Sequence, residues 1–203
     1  MSTARPKVKR ARALGVALTP KSAAYLQRRP YPPGAHGRGR RTMSDYKVRL
    51  LEKQRLRAQY DLGERQLRRA FEHAVRGTGK TGERLLAALE CRLDALVLRA
   101  GFARTIYQAR QFVSHRHFRV NGRRMNIPSY RLRPGDVITV TDRSRTLDPF
   151  RVAAAGGHAG DGPPAPYLTV RLDALAARLD RLPARAEIPV VCDEQLVVEF
   201  YSR

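Results

Sequence analysis

The segment Gly77-Thr78-Gly79-Lys80-Thr81 carries the glycines, lysine and hydroxyl that close a phosphate-binding loop. In such a loop backbone N–H groups cradle phosphates and the lysine neutralises them. The full motif needs a glycine five positions before Gly79, where Ala74 stands, and a strand where a helical pattern precedes. A helix end leading into the next helix accounts for these residues better. His115 and His117 stand at strand spacing, but two imidazoles without a nearby Cys or acid make a thin metal site. A surface contact to a partner for His115 and sheet surface for His117 fit better. Cys91 and Cys192 form no C-x-x-C pair, which argues against a four-ligand zinc site and a disulfide framework and suits a reducing compartment. Cys91 lies beside a leucine stripe, the setting of a buried structural thiol.

Arg-Leu-Asp occurs at 92–94, 171–173 and 178–180. In pseudouridine synthases an aspartate in such a triplet is the nucleophile, and many of those enzymes carry an RNA-binding module. None of the three copies is followed by the small-residue turn of those enzymes, and 151–203 is too short for their catalytic domain. An RNA-modifying enzyme is the alternative to a binding protein; the expectation is no catalysis, no cofactor and no metal.

A polar stripe is the better chemical signal. Arg104, Gln108, Gln111 and His115 fall in one line of a short helix whose buried face is Ile106, Ala109 and Val113. Such a stripe suits phosphate and ribose contacts. The charge agrees. The chain has 203 residues, with Lys+Arg 40 against Asp+Glu 18 and a net charge of +22. That surplus calls for a polyanion. It divides as +14 over residues 1–60, +1 over 61–90, +8 over 91–150 and −1 over 151–203. The polyanion should therefore meet the first and third blocks. The apolar run Ala13–Leu18 is too short for a signal peptide or a membrane span.

The elements that must position these residues follow from punctuation. Residues 1–43, rich in Pro, Gly and Arg, read as an irregular basic arm. Helical stretches are expected from Ser44 to about Tyr60, over Glu64–Arg76 and from about Gly82 to Ala100. Thr105 with Gln108 has capping-box spacing and starts a helix to His115. Asn121-Gly122 between Phe118–Val120 and Arg123–Met125 signals a hairpin. Pro134-Gly135-Asp136 leads into a strand, Val137–Val140. Residues 156–166 read as a flexible loop, Leu172–Leu182 as a helix and Gln195–Tyr201 as a closing strand. Tyr31 and Tyr46 are interleaved with arginines, which favours stacking on unpaired RNA bases over duplex DNA.

Arg92-Leu93-Asp94, Gly101-Phe102-Ala103-Arg104-Thr105, Gln108–Gln111, Ser114-His115, Val120-Asn121-Gly122, Ile127–Tyr130 and Pro134-Gly135-Asp136 together resemble the S-four RNA-binding domain. Pro32-Pro33-Gly34-x-His36-Gly37, Ser44-Asp45-Tyr46, Glu52-Lys53-Gln54-x-x-Arg57, Glu64-Arg65-Gln66 and Glu194–Arg203 resemble the flanks of the small-subunit ribosomal protein S-four family, of bacterial type. The arm has no cysteine, as in the zinc-free branch of that family, and Ile106 stands where many members carry Arg. Arg5-Pro6-Lys7-x-Lys9 and Gly15-x-x-Leu18 resemble the mature family start, against a transit peptide.

The resemblance implies an α+β, mostly helical fold. The arm is 1–43; a helical subdomain spans 44–90 and is completed by 168–203. An S-four-type domain, two short helices on a small antiparallel sheet, spans 91–155, and 156–167 is a loop. It implies a structural protein of the small ribosomal subunit that binds the five-prime domain of 16S ribosomal RNA and nucleates 30S assembly. Protein S-five and other small-subunit proteins are the implied partners, with the messenger near its entry path, no membrane, and an effect on translational accuracy. The implied place is the cytoplasmic ribosome rather than an organellar one. RNA contacts are expected from Arg28, Arg29, His36, Arg38, Arg40, Arg41, Tyr46, Lys47, Arg49, Lys53 and Arg57. In the S-four-type unit they are expected from Arg92, Arg104, Thr105, Gln108, Arg110, Gln111, Ser114, His115, Asn121 and Arg123.

Overall fold

Helix caps and apolar spacing decide where the chain turns. The structure is a computed structural model that describes residues 6–39, 42–158 and 165–202. It divides into two units: the described parts of Met1–Phe71 with Val190–Arg203, and Glu72–Pro189. Among the described residues no helix is long and apolar enough to cross a membrane.

The first unit is helical. α1 (Lys7–Leu14) ends at Gly15, whose φ of 67° is the left-handed cap that glycine adopts without cost. α2 (Pro20–Arg28) starts at a capping box between Thr19 and Ser22, with Pro at the first turn. These two helices lie where an irregular arm was expected; the irregular part is 29–39. The cap signal was present in Thr19-Pro20, but the prolines and glycines of residues 30–39 outweighed it.

α3 (Asp45–Gln59) is capped by Ser44 and α4 (Glu64–Val75) buries Leu67, Ala70, Phe71 and Ala74, both as the periodicity requires. The end of the chain corrects the sequence reading. Glu194–Tyr201 is a helix, not a strand: Asp193 accepts the backbone N–H groups of Gln195 and Leu196 and caps it. This helix, α10 in chain order, packs along α3. Its Val and aromatic content favours strands, and tertiary packing overrides that preference.

The second unit begins with α5 (Thr81–Glu90) and α6 (Leu93–Arg99), where one long helix was expected. The break at Cys91-Arg92 has a cause in pairing. The N–H groups of Leu93 and Leu132 reach Tyr130 and Cys91 carbonyls at 2.8 Å, so this stretch runs antiparallel to 130–132. α7 (Ile106–Ser114) leads by a tight turn into β1 (Phe118–Val120) and β2 (Arg123–Met125). Val120 pairs with Arg123 across Asn121-Gly122, both at positive φ, as the hairpin signal demands. β3 (Val137–Val140) follows, then the short helices α8 (Asp142–Arg145) and α9 (Asp148–Ala154).

Leu172–Leu182 is not a helix. β4 (Leu168–Arg171) and β5 (Ala176–Leu179) form a hairpin that joins β3, giving an antiparallel sheet of order β2-β1-β3-β5-β4. Residues 159–164 of the expected loop, like Arg40 and Arg41 of the arm, lie outside the described residues. The core under the sheet gathers Phe102, Phe118, Phe150, Ile138 and Tyr167. Tyr167 is fully buried, and its hydroxyl donates to the buried Glu90 carboxylate at 2.7 Å, where Arg99 also binds.

Candidate nucleic-acid interface

The second unit builds its polar face from α7 outward. Thr105 Oγ1 accepts the Gln108 N–H at 3.2 Å, and Gln108 Oε1 accepts the Arg104 N–H at 2.8 Å. This reciprocal cap uses the side chain of Gln108, so the exposed members of the stripe are Arg104, Gln111 and His115, with Ser114 exposed beside them. Ile106 is buried at the first turn and offers no contact outward. Arg116 follows at a positive φ of 63°, exposed. On the edge strand β2, Arg123 and Arg124 are exposed as well. Arg104, Arg116, Arg123 and Arg124 form no ion pair among the described residues. Arg116 and Arg124 were missed by following a helical stripe; their signal was adjacency to His115 and Arg123 in the sequence.

Other expected contact residues are engaged within the fold. Arg92, only 7% exposed, binds both oxygens of the fully buried Asp94, at 2.9 and 2.8 Å. Arg110 reaches the same carboxylate at 2.9 Å. The first Arg-Leu-Asp triplet is thus an ion clamp, and both Asp94 oxygens are taken. Asp180 is bound by Thr169 and Arg178, and Asp173 sits in the β4–β5 loop. Asn121 holds the hairpin: its amide donates to Asp136 at 2.8 Å and accepts the Val137 N–H at 2.9 Å. His117 is packed against Phe112 and Phe150, with Nδ1 2.8 Å from Ser144 Oγ. Burial, then the neighbouring His115, lowers its pKa. Among the described residues no group of three or more His, Cys, Asp or Glu is placed for a metal. Burial, and after it Glu90, pushes the Cys91 thiol up to about 11, far from a reactive thiolate.

The first unit has the same division of labour. Lys53, 5% exposed, pairs with Glu64 at 2.9 Å and lies 4.2 Å from the centre of the Phe200 ring. Arg57 reaches the other Glu64 oxygen at 2.9 Å, and Tyr201 donates to Glu64 at 2.8 Å. Arg49 binds Glu199 at 2.7 Å. Arg28, Arg29, His36, Arg38, Tyr46 and Lys47 are exposed. In the arm, Arg12 and Arg38 lie 5.1 and 4.8 Å from the Tyr31 ring centre. Arg38 also donates to the Tyr31 hydroxyl at 3.2 Å, and this bond holds the phenol below its ordinary range. Gly37 is required here: a Cβ on it would meet the Pro32 carbonyl oxygen at 2.0 Å.

The exposed, unpaired cations, split between an arm and an S-four-type unit, meet their counterpart in known proteins. Residues 3–90 match the model of the ribosomal protein S4/S9 N-terminal domain, and residues 91–138 match the S4 domain. The chain is 64% identical to the small ribosomal subunit protein uS4 of Streptomyces griseus over 199 residues, 98% of each chain. It is 65% identical to that of Streptomyces avermitilis, again over 98% of each, and 61% identical to that of Leifsonia xyli over 99% of this chain and 98% of the relative. The chain belongs to the uS4 family of small ribosomal subunit proteins. In this uS4 chain Arg92 and Arg110 belong to the framework of the fold.

Proposed function

We propose that the protein binds the five-prime domain of 16S ribosomal RNA, acts early in assembly of the small subunit, and with protein S-five contributes to translational accuracy. It is a structural constituent of the small ribosomal subunit and not an enzyme. One observation supports the RNA-facing assignment above the rest. Among the described residues the basic side chains divide into those neutralised by a carboxylate of the fold (Lys53 and Arg57 by Glu64, Arg92 and Arg110 by Asp94) and those exposed without one (Arg104, Arg116, Arg123, Arg124). Only the second kind releases condensed counterions when it meets phosphate. Arg104, Gln111, Ser114 and His115 supply charge and hydrogen bonds from one short helix and its flanks, and Arg116, Arg123 and Arg124 extend the charge. Arg28, Arg29, Arg38, Tyr46 and Lys47 do the same from the arm and the start of α3. Arg40 and Arg41 join them on sequence grounds.

The test is a binding titration at two salt concentrations, with a transcript of the five-prime domain and an unrelated structured RNA of equal length. Any basic chain binds both at low salt, and affinity falls by roughly a thousandfold or more between about 50 and 200 mM salt. A preference for the ribosomal transcript that survives the higher salt supports shape-specific recognition. Equal decline of the two overturns it.

A further inference from the structure

The Gly77–Thr81 segment has a task unrelated to a nucleotide-hydrolysing loop. The guanidinium of Arg84 lies where a side chain at Gly77 would be: a Cβ there would sit 1.5 Å from Arg84 Nη2 and 2.2 Å from Nη1. Arg84 Nη1 is buried and has no hydrogen-bond partner among the described residues. A buried guanidinium N–H without an acceptor is costly, which points to an acceptor supplied from outside the chain.

Arg84 lines a cavity of about 460 Å³ in the second unit. Arg131 and Arg133 add charge around it, His73 adds an imidazole, and among the described residues no carboxylate lines it. The pairing of Arg92 with Arg131, and of Leu132 N–H with the Cys91 carbonyl, holds 131–133 extended. Arg131 and Arg133 therefore fall on one side of their segment. Ala87 and Ala88 of α5, with Leu132, give the cavity an apolar floor. A bare anion uses the cations and wastes the floor, and a cavity of this size holds a larger ligand. The match is a flat apolar body with an anionic head.

We infer that this cavity takes a nucleoside monophosphate unit, its base on Ala87, Ala88 and Leu132 and its phosphate on Arg84, Arg131 and Arg133. The unit comes either as a free nucleotide or as one unpaired nucleotide of an RNA strand. Only the second source rests on the RNA-binding reading above. Apolar side chains can pack on a base face, and guanidinium forks bind phosphate.

The test is equilibrium dialysis of the full chain with labelled adenosine monophosphate, with orthophosphate as competitor. Ala88→Leu fills the floor without changing charge and keeps helix propensity; Ala87→Leu does the same one residue away, should the first variant melt. Arg84→Gln removes the head contact. The expected result is one saturable site, weakened about tenfold or more by a folded filling variant and by Arg84→Gln, with orthophosphate competing at least about tenfold worse. Equal binding by wild type and filled variant, or orthophosphate competing as well as the nucleotide, overturns the inference and leaves charge attraction alone. The five-prime-domain transcript then separates the sources. Displacement of the nucleotide, with weaker transcript binding by the filling variant, assigns the cavity to a nucleotide of the strand. Retention on the RNA-bound protein assigns it to a free nucleotide. A transcript that does not bind overturns the ribosomal RNA reading and leaves the dialysis result intact.

Discussion

Arg110 in α7 and Asp94 in α6 stand 16 residues apart and meet at 2.9 Å, the carboxylate fully buried. Arg92 holds the same carboxylate from the other side of the sequence. Removing Asp94 leaves a buried guanidinium unpaired. Asp94→Ala should lower the unfolding free energy by about 3–5 kcal/mol in urea denaturation. Arg92→Met in the Asp94→Ala background should recover part of the loss. A cost below about 1 kcal/mol would mean the clamp is no better than a surface pair.

Tyr167→Phe keeps the core volume but strips Glu90 of one donor. The expected loss is about 1–3 kcal/mol, the penalty of a buried acceptor left short of a partner. Thermal unfolding with unchanged circular dichroism in the folded state would measure it. An unchanged midpoint would show that Arg99 alone satisfies Glu90.

Arg104→Ala and Gln111→Ala should each weaken binding to the five-prime-domain transcript without moving the unfolding midpoint. Arg104→Ala should also reduce the salt slope by about one counterion, whereas Gln111→Ala should leave the slope alone. Unchanged affinity in both variants would move the RNA face to another surface.

Glu64 gives a pH dependence with a definite sign. Burial opposes its ionisation, but hydrogen bonds from Lys53, Tyr201 and Arg57 outweigh burial and hold its pKa below 4.5. A carboxyl with a lowered folded pKa adds stability that is full above its unfolded value and is lost as pH falls through the folded one. Wild type should therefore lose its advantage over Glu64→Gln as pH falls below about 4.5. Denaturant midpoints of both proteins across that range decide it; a constant gap would remove Glu64 as the cause.

Amide exchange should be fastest over 29–39 among the described parts of the first unit, and slow over Leu85–Leu96. The irregular stretch has two internal backbone hydrogen bonds, Gly37 to Gly34 and Gly39 to His36, and Arg12 and Arg38 gather around its Tyr31. Gly37→Ala should speed exchange there further. Protection of 29–39 equal to Leu85–Leu96 would contradict both statements.

Local signals were legible in the sequence where the cause is local. Ser44 and the Thr105–Gln108 box fall at real helix starts, and Asn121-Gly122 at a real hairpin. Misreadings occur where distant pairing decides. Leu168, Leu172, Leu175 and Leu179 imitate a helical period, yet Leu175 sits at a φ of 46° in a turn, between strands whose inward residues alternate by two. The break at Cys91-Arg92 depends on residues near 131, some forty positions away in the sequence. The expected RNA contacts divide in the same manner. Exposure of Gln111 follows from helix periodicity, but the inward turn of Lys53 and Arg92 depends on where Glu64 and Asp94 fall in three dimensions.

The two units differ in how the chain supplies them. Glu72–Pro189 is one continuous stretch, whereas the helical unit needs α10 to return to α3, with Lys53 and Glu64 waiting for Phe200 and Tyr201. On a translating ribosome the continuous unit can therefore close first, even though most of the helical unit is synthesised before it. Until residue 201 emerges, Lys53 and Glu64 lack their aromatic lid. In this protein the order of birth and the order of completion run in opposite directions, and a stall in its last dozen codons would hold a finished S4-type unit beside an open helical one.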